Sequence, residues 1–500
     1  WRRPRSLVWQ SHTTLAASLP GIRRRPLSVS PYLRKRPLAM TIPTYMGLNT
    51  ALSGLEAAQA AIDTTGQNIA NASTPGYSRQ RVNLTERSQL TIPALSSYTG
   101  DGSQFGTGVD ITSITRIRDT FLDSQYRAQN TTENGDSTSS TILGQVQAGL
   151  AEASSTTGLS HALDQFFTDW STLGASPGNA GAQQAVMGDG ANVADQLNTL
   201  SGQLTTLQSQ VTDQYNTLTD PVNGAVANDA NQIAQLNTQI AQAQSAGIDA
   251  NALEDQRDNV IDDLSQYSNV NVTTQSNGMV NVSLGNAAVA AQNGTADSTP
   301  LVNGGSVDLT DNLTDANLSG GGGTLGALLG LHDATTGTGQ IDNYMTTLNK
   351  VANQLVTTVN GAISGADASG PSATPFFTTT GTTAATIAVN PSLTASSTTP
   401  PYTSAEANAV AGLTNGTAQQ TYNAFVTQVG SDVKSAQNSQ QTAQSLLTAI
   451  GNQRQSVSGV SLDEEMTNLI QYQQAYQASA RVMSTIDTTI GTLLNMVSAG

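Results

Sequence analysis

The sequence predicts a mainly α, multidomain protein with paired, coiled-coil-like N- and C-terminal helices, a central helical bundle domain and an inserted β-rich domain. Three patterns lead to this prediction. Apolar residues recur every seven positions near each end, they follow helical spacing through much of the middle, and they alternate in one internal segment. With 500 residues, the chain has room for about three domains.

The leading segment, residues 1–39, differs in charge from the rest of the chain. It holds nine of the 20 Lys and Arg residues and no Asp or Glu. No clean apolar stretch of about 7–15 residues follows the basic residues, as a secretory signal would require. We therefore predict a non-native or read-through leader that is disordered, and a true amino terminus at Met40. A real organelle-type leader is the alternative.

The first terminal helix is predicted from Leu48 to about residue 71. Pro75 disfavours helical geometry in the preceding residue, and Gly76 can take up the turn that follows. The apolar stripe of this helix has seven-residue spacing and contains Leu48, Leu55, Ile62 and Ile69.

The last terminal helix is predicted over residues 462–498, a rod of roughly 55 Å at 1.5 Å per residue. Ser461 can cap its first turn, and the acidic residues at 463–465 suit the positive end of the helix dipole. Six positions keep the seven-residue spacing: Leu462, Leu469, Tyr476, Met483, Ile490 and Val497.

The middle of the chain alternates between helical and strand patterns. Residues 141–218 and 226–266 have helical spacing, and a β-hairpin is predicted around Asn277-Gly278. Beyond the hairpin the chain is rich in Gly, Thr and Asn, with one further helix predicted near 340–360 and a helical run at 405–455.

These patterns suggest a domain division in which the chain ends meet. The predicted terminal-helix domain combines residues 40–100 with 456–500. A helical, rod-like domain combines 101–267 with 401–455, and the β-rich insertion covers 268–400. Each terminal helix exposes a stripe that it cannot bury alone, so we expect the two to pair with each other and with equivalent helices of neighbouring subunits. An intramolecular antiparallel hairpin in a monomer is the alternative.

Composition argues against several functional classes. Residues 40–500 hold 11 Lys and Arg against 36 Asp and Glu, so this acidic body should repel nucleic acid. No run approaches the roughly 18 apolar residues of a membrane span, so no membrane insertion is expected. The absence of Cys removes disulfides and thiolate metal sites from consideration.

We therefore predict no catalytic, cofactor-binding or metal site, and no enzyme. His161 and His332 lack ligand-spaced partners, and the glycines at 320–323 are interpreted as a flexible linker because no Gly-Lys-Ser/Thr follows them. Asp262 and Asp263 are interpreted as a solvated helix face.

Two terminal motifs resemble the flagellar axial protein family, and its hook-associated members in particular. The amino-terminal motif runs from Gly47 to Gln80 and ends in Gly-Tyr-Ser-Arg-Gln, and the second motif covers residues 462–482. Internal segments at 253–270, 325–329 and 388–393 agree with this resemblance. The residues of the amino-terminal motif that carry it most clearly are Asn68, Ile69, Ala70, Asn71, Pro75, Gly76 and Tyr77.

The resemblance implies a structural protein at the junction between flagellar hook and filament, needed for filament assembly. It implies export without a cleaved signal peptide to an extracellular location in the flagellum. The implied partners are other copies of the chain in a ring, the hook protein, the other hook–filament junction protein and a cytoplasmic export chaperone. Another axial protein of hook or rod type and a secreted monomeric adhesin are the alternatives. The ten stripe residues named above are the predicted assembly interface.

Overall fold

A computed structural model describes residues 42–91, 104–150, 158–292, 300–366, 374–395 and 400–498 of the chain. The predicted leader at 1–39 and Met40 lie outside these residues. The described chain is mainly helical, as expected, with two small antiparallel ribbons and one four-stranded sheet. No helix among the described residues is both long and apolar enough to cross a membrane.

The terminal helices form close to where the seven-residue patterns predict them. Helix α1 spans Ile42–Ala70, and helix α13 spans Leu462–Ser498. The backbone N–H of Glu464 donates to Ser461 Oγ at 3.5 Å, so Ser461 caps α13 weakly. The two helices pack along each other in the structure.

Two strands that the sequence analysis missed follow α1. Strand β1 (Gln80–Glu86) pairs antiparallel with β4 (Val109–Arg116), and the register shifts at a bulge between Asn83 and Leu84. The short strands β2 (Leu90–Thr91) and β3 (Gln104–Phe105) pair with each other between them. The bulge interrupts the period of two, so neither strand shows a long alternating pattern.

The helical body has a large core formed mainly by six helices. They are α2 (Thr120–Leu150), α3 (Leu159–Ala175), α4 (Ala180–Thr219), α10 (Gln340–Ala366), α11 (Ser404–Ala411) and α12 (Thr417–Ser458). Fully buried aromatic side chains, including Phe166, Trp170, Phe376 and Tyr422, lie in this core. The predicted helix near 340–360 is present, and the run at 405–455 is divided into α11 and α12.

A second core lies between two helices and the four-stranded sheet. Helices α5 (Ala225–Ser245) and α6 (Asn251–Leu264) contribute buried residues, and the sheet has the order β5-β6-β7-β8. Strands β5 (Val270–Thr274) and β6 (Val280–Leu284) form the predicted hairpin, with Gly278 at a φ of 76°. Strands β7 (Val302–Asn303) and β8 (Ser306–Val307) complete the sheet.

Residues 268–400 contain less β-structure than expected. The strands of this region lie at 270–307, whereas α7 (Gly285–Gln292), α8 (Asp315–Leu318), α9 (Gly323–Leu331) and α10 are helical. Leucines of α9 are buried in both cores, so tertiary packing overrides the low helix propensity of this Gly- and Thr-rich stretch. The division into domains itself stays a prediction.

The glycines at 320–323 form a tight turn rather than the expected flexible linker. Gly322 and Gly323 have φ values of 67° and 68°, which favour glycine. A Cβ at Gly323 would lie 2.5 Å from the backbone carbon of Tyr267, so the turn packs closely against the end of α6.

Candidate functional site

The terminal helices meet along a seam of small residues. A Cβ at Gly47 would lie 3.2 Å from Ile486 Cδ1, and a Cβ at Gly54 would lie 3.1 Å from Ser479 Oγ. A step of seven residues toward the C-terminus of α1, from 47 to 54, therefore matches a step of seven residues toward the N-terminus of α13, from 486 to 479. The pair is antiparallel, and its two contacts lie one seven-residue step apart on each helix.

The buried side of α1 is made of small side chains, which allow the two backbones to approach closely. Six of these residues are less than a tenth exposed. They are Ala51, Ala57, Ala58, Ala61, Thr64 and Thr65.

The β1–β4 ribbon covers one side of the pair. Ser53 Oγ accepts a hydrogen bond from the backbone N–H of Val109 at 3.2 Å. A Cβ at Gly108 would lie 2.1 Å from Ser53 Oγ and 3.3 Å from the Cα of Thr50. Residues that precede the seam by one position in α1 therefore face the ribbon.

The opposite side of the pair carries many apolar side chains, several of them exposed, together with the exposed polar residues Gln473 and Asp487. In an antiparallel pair with a common register, residues that follow the seam by one position lie on the same side of both helices. Leu55 in α1 and Met466 in α13 are such residues, and Met466 is 54% exposed. We call the apolar residues of this side the open flank: Leu48, Leu52, Leu55, Ile62, Ile69, Met466, Leu469, Ile470, Tyr476, Met483 and Ile490.

The nine predicted interface residues whose side chains the structure describes border the seam and do not fill it. Eight of them are partly buried, Leu462 is 52% exposed, and the side chain of Val497 lies outside the described residues. The small residues occupy the seam because they permit the close approach, which leaves the larger apolar side chains on the flank. Whether that flank is the assembly interface stays a prediction.

Asn68 of the amino-terminal motif is a buried hydrogen-bonding centre at the base of the pair. Its Nδ2 donates to the carbonyl oxygen of Gln80 at 2.9 Å and to Glu465 Oε2 at 3.0 Å. Its Oδ1 accepts from the hydroxyl of Tyr77 and the backbone N–H of Gln80, both at 2.9 Å. The amide of Asn68 thus joins α1, α13 and the chain that enters β1.

Burial and the nearby carboxylates of Asp255 and Glu465 raise the pKa of Tyr77 to about 12. The phenol therefore stays protonated at neutral pH and remains the donor toward Asn68.

The remaining motif residues end α1 and turn the chain. Asn71 Nδ2 donates to the carbonyl oxygen of Gln67 at 3.0 Å, Ile69 is partly buried, and Ala70 and Pro75 are exposed. Gly76 has a φ of 75°, and a Cβ there would lie 2.0 Å from Asn259 Nδ2. The turn after α1 therefore requires glycine for both its backbone conformation and its contact with α6.

Glu464 and Glu465 have partners that the sequence did not reveal. Arg79 Nε donates to Glu465 Oε1 at 2.7 Å, and an Arg79 guanidinium nitrogen lies 2.8 Å from Glu464 Oε2. The Glu465 side chain is only 2% exposed. The helix dipole alone does not account for these carboxylates, because residues separated by more than 380 positions form the pairs.

An arginine–carboxylate cluster joins β4, α2, α6 and the end of α12. Asp258 lies at its centre, within 3.4 Å of nitrogens from Arg116, Arg118 and Arg127. Burial opposes ionisation of Asp258, but the fields of these arginines prevail and lower its pKa to about 2. The cluster therefore holds a carboxylate that is ionised throughout the neutral range.

The interpretation of Asp262 as a solvated residue is wrong. Asp262 is 12% exposed and pairs with Arg127 at 2.7 Å and Arg454 at 2.6 Å. Burial and the neighbouring Asp262 raise the pKa of Asp263, which is nearby in the cleft between α6 and the end of α12. Because two arginines bind Asp262, the two carboxylates do not form a free acid–base pair.

His332 is hydrogen-bonded to Asp342, with its Nδ1 2.9 Å from Asp342 Oδ2. The part of the chain that the structure describes contains no group of three or more His, Asp or Glu residues arranged to hold a metal ion.

Comparisons with known proteins identify the class of protein to which this chain belongs. The flagella basal body rod protein model matches residues 48–77, and the C-terminal model of the flagellar basal body rod FlgEFG proteins matches residues 452–496. These segments contain most of the seam between α1 and α13. By class, the chain is an axial protein of the bacterial flagellum.

The match of the central segment, residues 143–377, identifies the family within the axial proteins. The helical-domain model of flagellar hook-associated protein FlgK matches residues 143–377. Flagellar hook-associated protein 1 of Bacillus subtilis is 30% identical over 517 aligned residues, which cover 91% of this chain and 99% of the relative. The chain belongs to the flagellar hook-associated protein 1 family.

Other relatives match shorter portions. Flagellar hook-associated protein 1 of Salmonella typhimurium is 31% identical over 251 residues, covering 50% of this chain and 43% of that protein. The solved hook junction protein FlgK of Burkholderia pseudomallei is 26% identical, covers 48% of this chain and 44% of that chain, and gives a TM-score of 0.39.

Proposed function

We propose that this chain is a structural subunit of the junction between flagellar hook and filament, and that filament assembly needs it. Family membership supports the role, and the open flank supports the mode of assembly. Seven-residue rows of apolar side chains on two paired helices suit packing against equivalent helices. The open flank is the single observation that carries this mode.

The proposed partners follow from a junction position. They are further copies of the chain in a ring, the hook protein on one side and the other hook–filament junction protein on the other. A cytoplasmic export chaperone would cover the α13 part of the open flank before assembly, since an apolar helix face is poorly tolerated in water. The proposed location is extracellular, after export without signal cleavage.

The alternatives explain the observations less well. A hook- or rod-type axial protein would share the terminal segments, but the match of the FlgK helical-domain model at 143–377 favours the hook-associated family. A secreted monomeric adhesin has no need for apolar rows that remain open on two paired helices.

Deletion of the gene in its own host tests the proposal. We expect cells with hooks but no filaments, and flagellin released into the medium, by electron microscopy and immunoblotting. Expression of the intact chain should restore filaments. Normal filaments on the deletion strain would contradict the proposed role.

A further inference from the structure

The segment Tyr77–Gln80, between the turn after α1 and strand β1, contacts two parts of the molecule. We call it the coupling segment. Tyr77 and Arg79 bind the terminal helix pair, whereas Ser78 between them binds the helical body. In an extended chain successive residues point to opposite sides, so one short segment can contact two partners.

On the side of the terminal pair, most side-chain contacts converge at Asn68 and Glu465, and Arg79 also pairs with Glu464. The hydroxyl of Tyr77 and the backbone N–H of Gln80 donate to Asn68 Oδ1, and Asn68 Nδ2 donates to Glu465. Arg79 closes the arrangement through its 2.7 Å bond to the same carboxylate. Asn68 and Glu465 are 1% and 2% exposed, and the bond between them is buried.

On the side of the body, Ser78 is held by the arginine–carboxylate cluster. Its backbone N–H donates to Asp255 Oδ2 at 3.1 Å, and an Arg118 guanidinium nitrogen donates to its Oγ at 3.4 Å. Asp255 also pairs with Arg116 at 2.8 Å. Ser78 is 2% exposed, so this contact is buried as well.

Backbone bonds of Arg79 add two further connections. Its N–H donates to the carbonyl oxygen of Ser458 at the end of α12, at 2.9 Å, and its carbonyl oxygen accepts from Ile117 N–H at 2.7 Å. The segment is therefore hydrogen-bonded to the chain entering the terminal domain and to the chain leaving it.

The geometry points to the coupling segment as the element that fixes the orientation of the terminal helix pair relative to the helical body, with Asn68 and Glu465 as its positioning residues. This inference rests on the proposed function, in which each subunit presents its open flank at a set angle to its neighbours. Directional, buried polar bonds fix an angle better than apolar contacts, because an altered angle leaves donors and acceptors unpaired.

The test measures the distance between two spin labels in the full chain. The chain contains no Cys, so Glu56→Cys in α1 and Gln235→Cys in α5 place one label on the pair and one on the body, both at exposed positions. Double electron–electron resonance is recorded for the labelled parent, for Asn68→Ala and for Glu465→Gln. The control is Asp110→Asn, which breaks the exposed Arg87–Asp110 pair in the same ribbon.

We expect a narrow distance distribution in the parent and in Asp110→Asn, and a distribution about twofold wider in Asn68→Ala and Glu465→Gln. If Asn68→Ala loses the α1 helix, Glu465→Gln decides the outcome because it keeps the size of the side chain. Unchanged widths in Glu465→Gln, or equal widening in the control, would overturn the inference. The measurement uses the isolated chain, so its result is independent of whether the deletion strain loses its filaments.

Discussion

Single residues at the base of the terminal pair account for much of the amino-terminal motif. Asn68 uses both hydrogens of its amide and accepts two further bonds. Gly76 supplies a conformation that other residues adopt only with strain. The role of Asn68 depends on its side-chain amide, and the role of Gly76 depends on the absence of a Cβ. A single substitution can therefore test each role.

Gly76→Ala is expected to destabilise the protein by at least about 1–2 kcal/mol, since the φ of 75° is costly with a Cβ. The new Cβ would also collide with the amide of Asn259. Chemical denaturation measures the change. Gly76→Ala combined with Asn259→Ala should recover the part due to the collision.

The matched control is Gly66→Ala, in the C-terminal part of α1. A Cβ there meets no atom within 4 Å, and alanine favours a helix over glycine, so stability should rise by up to about 1 kcal/mol. Equal effects of the two alanines would show that the turn after α1 does not require glycine.

Asp229 of α5 is expected to make stability depend on pH. Burial and the charge of Asp263 raise its pKa from 3.8 to about 7 in the folded protein. The folded state therefore binds the proton more tightly than the unfolded state. Its contribution to stability is complete below about pH 4 and is lost as the pH rises to about 7.

Asp229→Asn should flatten the pH dependence of the unfolding free energy over that range, and should make the protein more stable than the parent at pH values above about 7. Denaturation curves recorded across the range test this, with the exposed Asp213→Asn as control. If the unfolding free energy of Asp229→Asn depends on pH as steeply as that of the parent, other groups cause the pH dependence.

At the scale of elements, α13 differs from the helices of the body. Among its described side chains only Glu465 is buried, whereas helices such as α10 bury a whole apolar face. A helix of 37 residues packed on one side has much of its apolar surface left for other contacts.

Leu469→Asp and Ile490→Asp should therefore abolish chaperone binding and filament attachment together. Burying an unpaired carboxylate when the open flank meets a partner costs several kcal/mol. The cores of the body lie elsewhere, so its thermal unfolding transition should not change. Chaperone pull-down, motility and calorimetry measure these three properties.

Gln474→Asp is the control, because it adds the same charge on the side of α13 that faces away from the seam. It should leave motility intact. Wild-type chaperone affinity and motility in both Leu469→Asp and Ile490→Asp would mean that the open flank is not the assembly surface.

For the whole molecule, the sequence predicts local periodicity better than contacts between distant residues. The bounds of α13 and the hairpin at Asn277-Gly278 were predictable because spacing and turn chemistry are local. The pairing of Arg79 with Glu465, and the burial of Asp262 between two arginines, were not, because both depend on how distant segments meet.

The seam illustrates the same limit. Seven-residue spacing indicates that α1 and α13 have partners. The spacing of the large apolar residues does not show that Gly47 and Gly54 form the contact. Close packing of two helices favours small residues at the contact, so the seam shifts to them and the large residues border it. The seven-residue spacing alone does not show which row forms the contact, the small residues or the large apolar residues.

The chain ends form an antiparallel pair through this seam, and we propose that the open flank stays available for neighbouring subunits. A Cβ at Gly54 would lie 4.0 Å from Ser479 Cβ, which suits a disulfide. The measurement is oxidation of Gly54→Cys/Ser479→Cys in dilute protein and in assembled flagella, with Gly66→Cys/Ser479→Cys as control. We predict rapid cross-linking within one chain, none in the control, and filaments that still attach. Absence of the cross-link, or cross-links only between chains, would contradict the pairing of α1 with α13 within one chain.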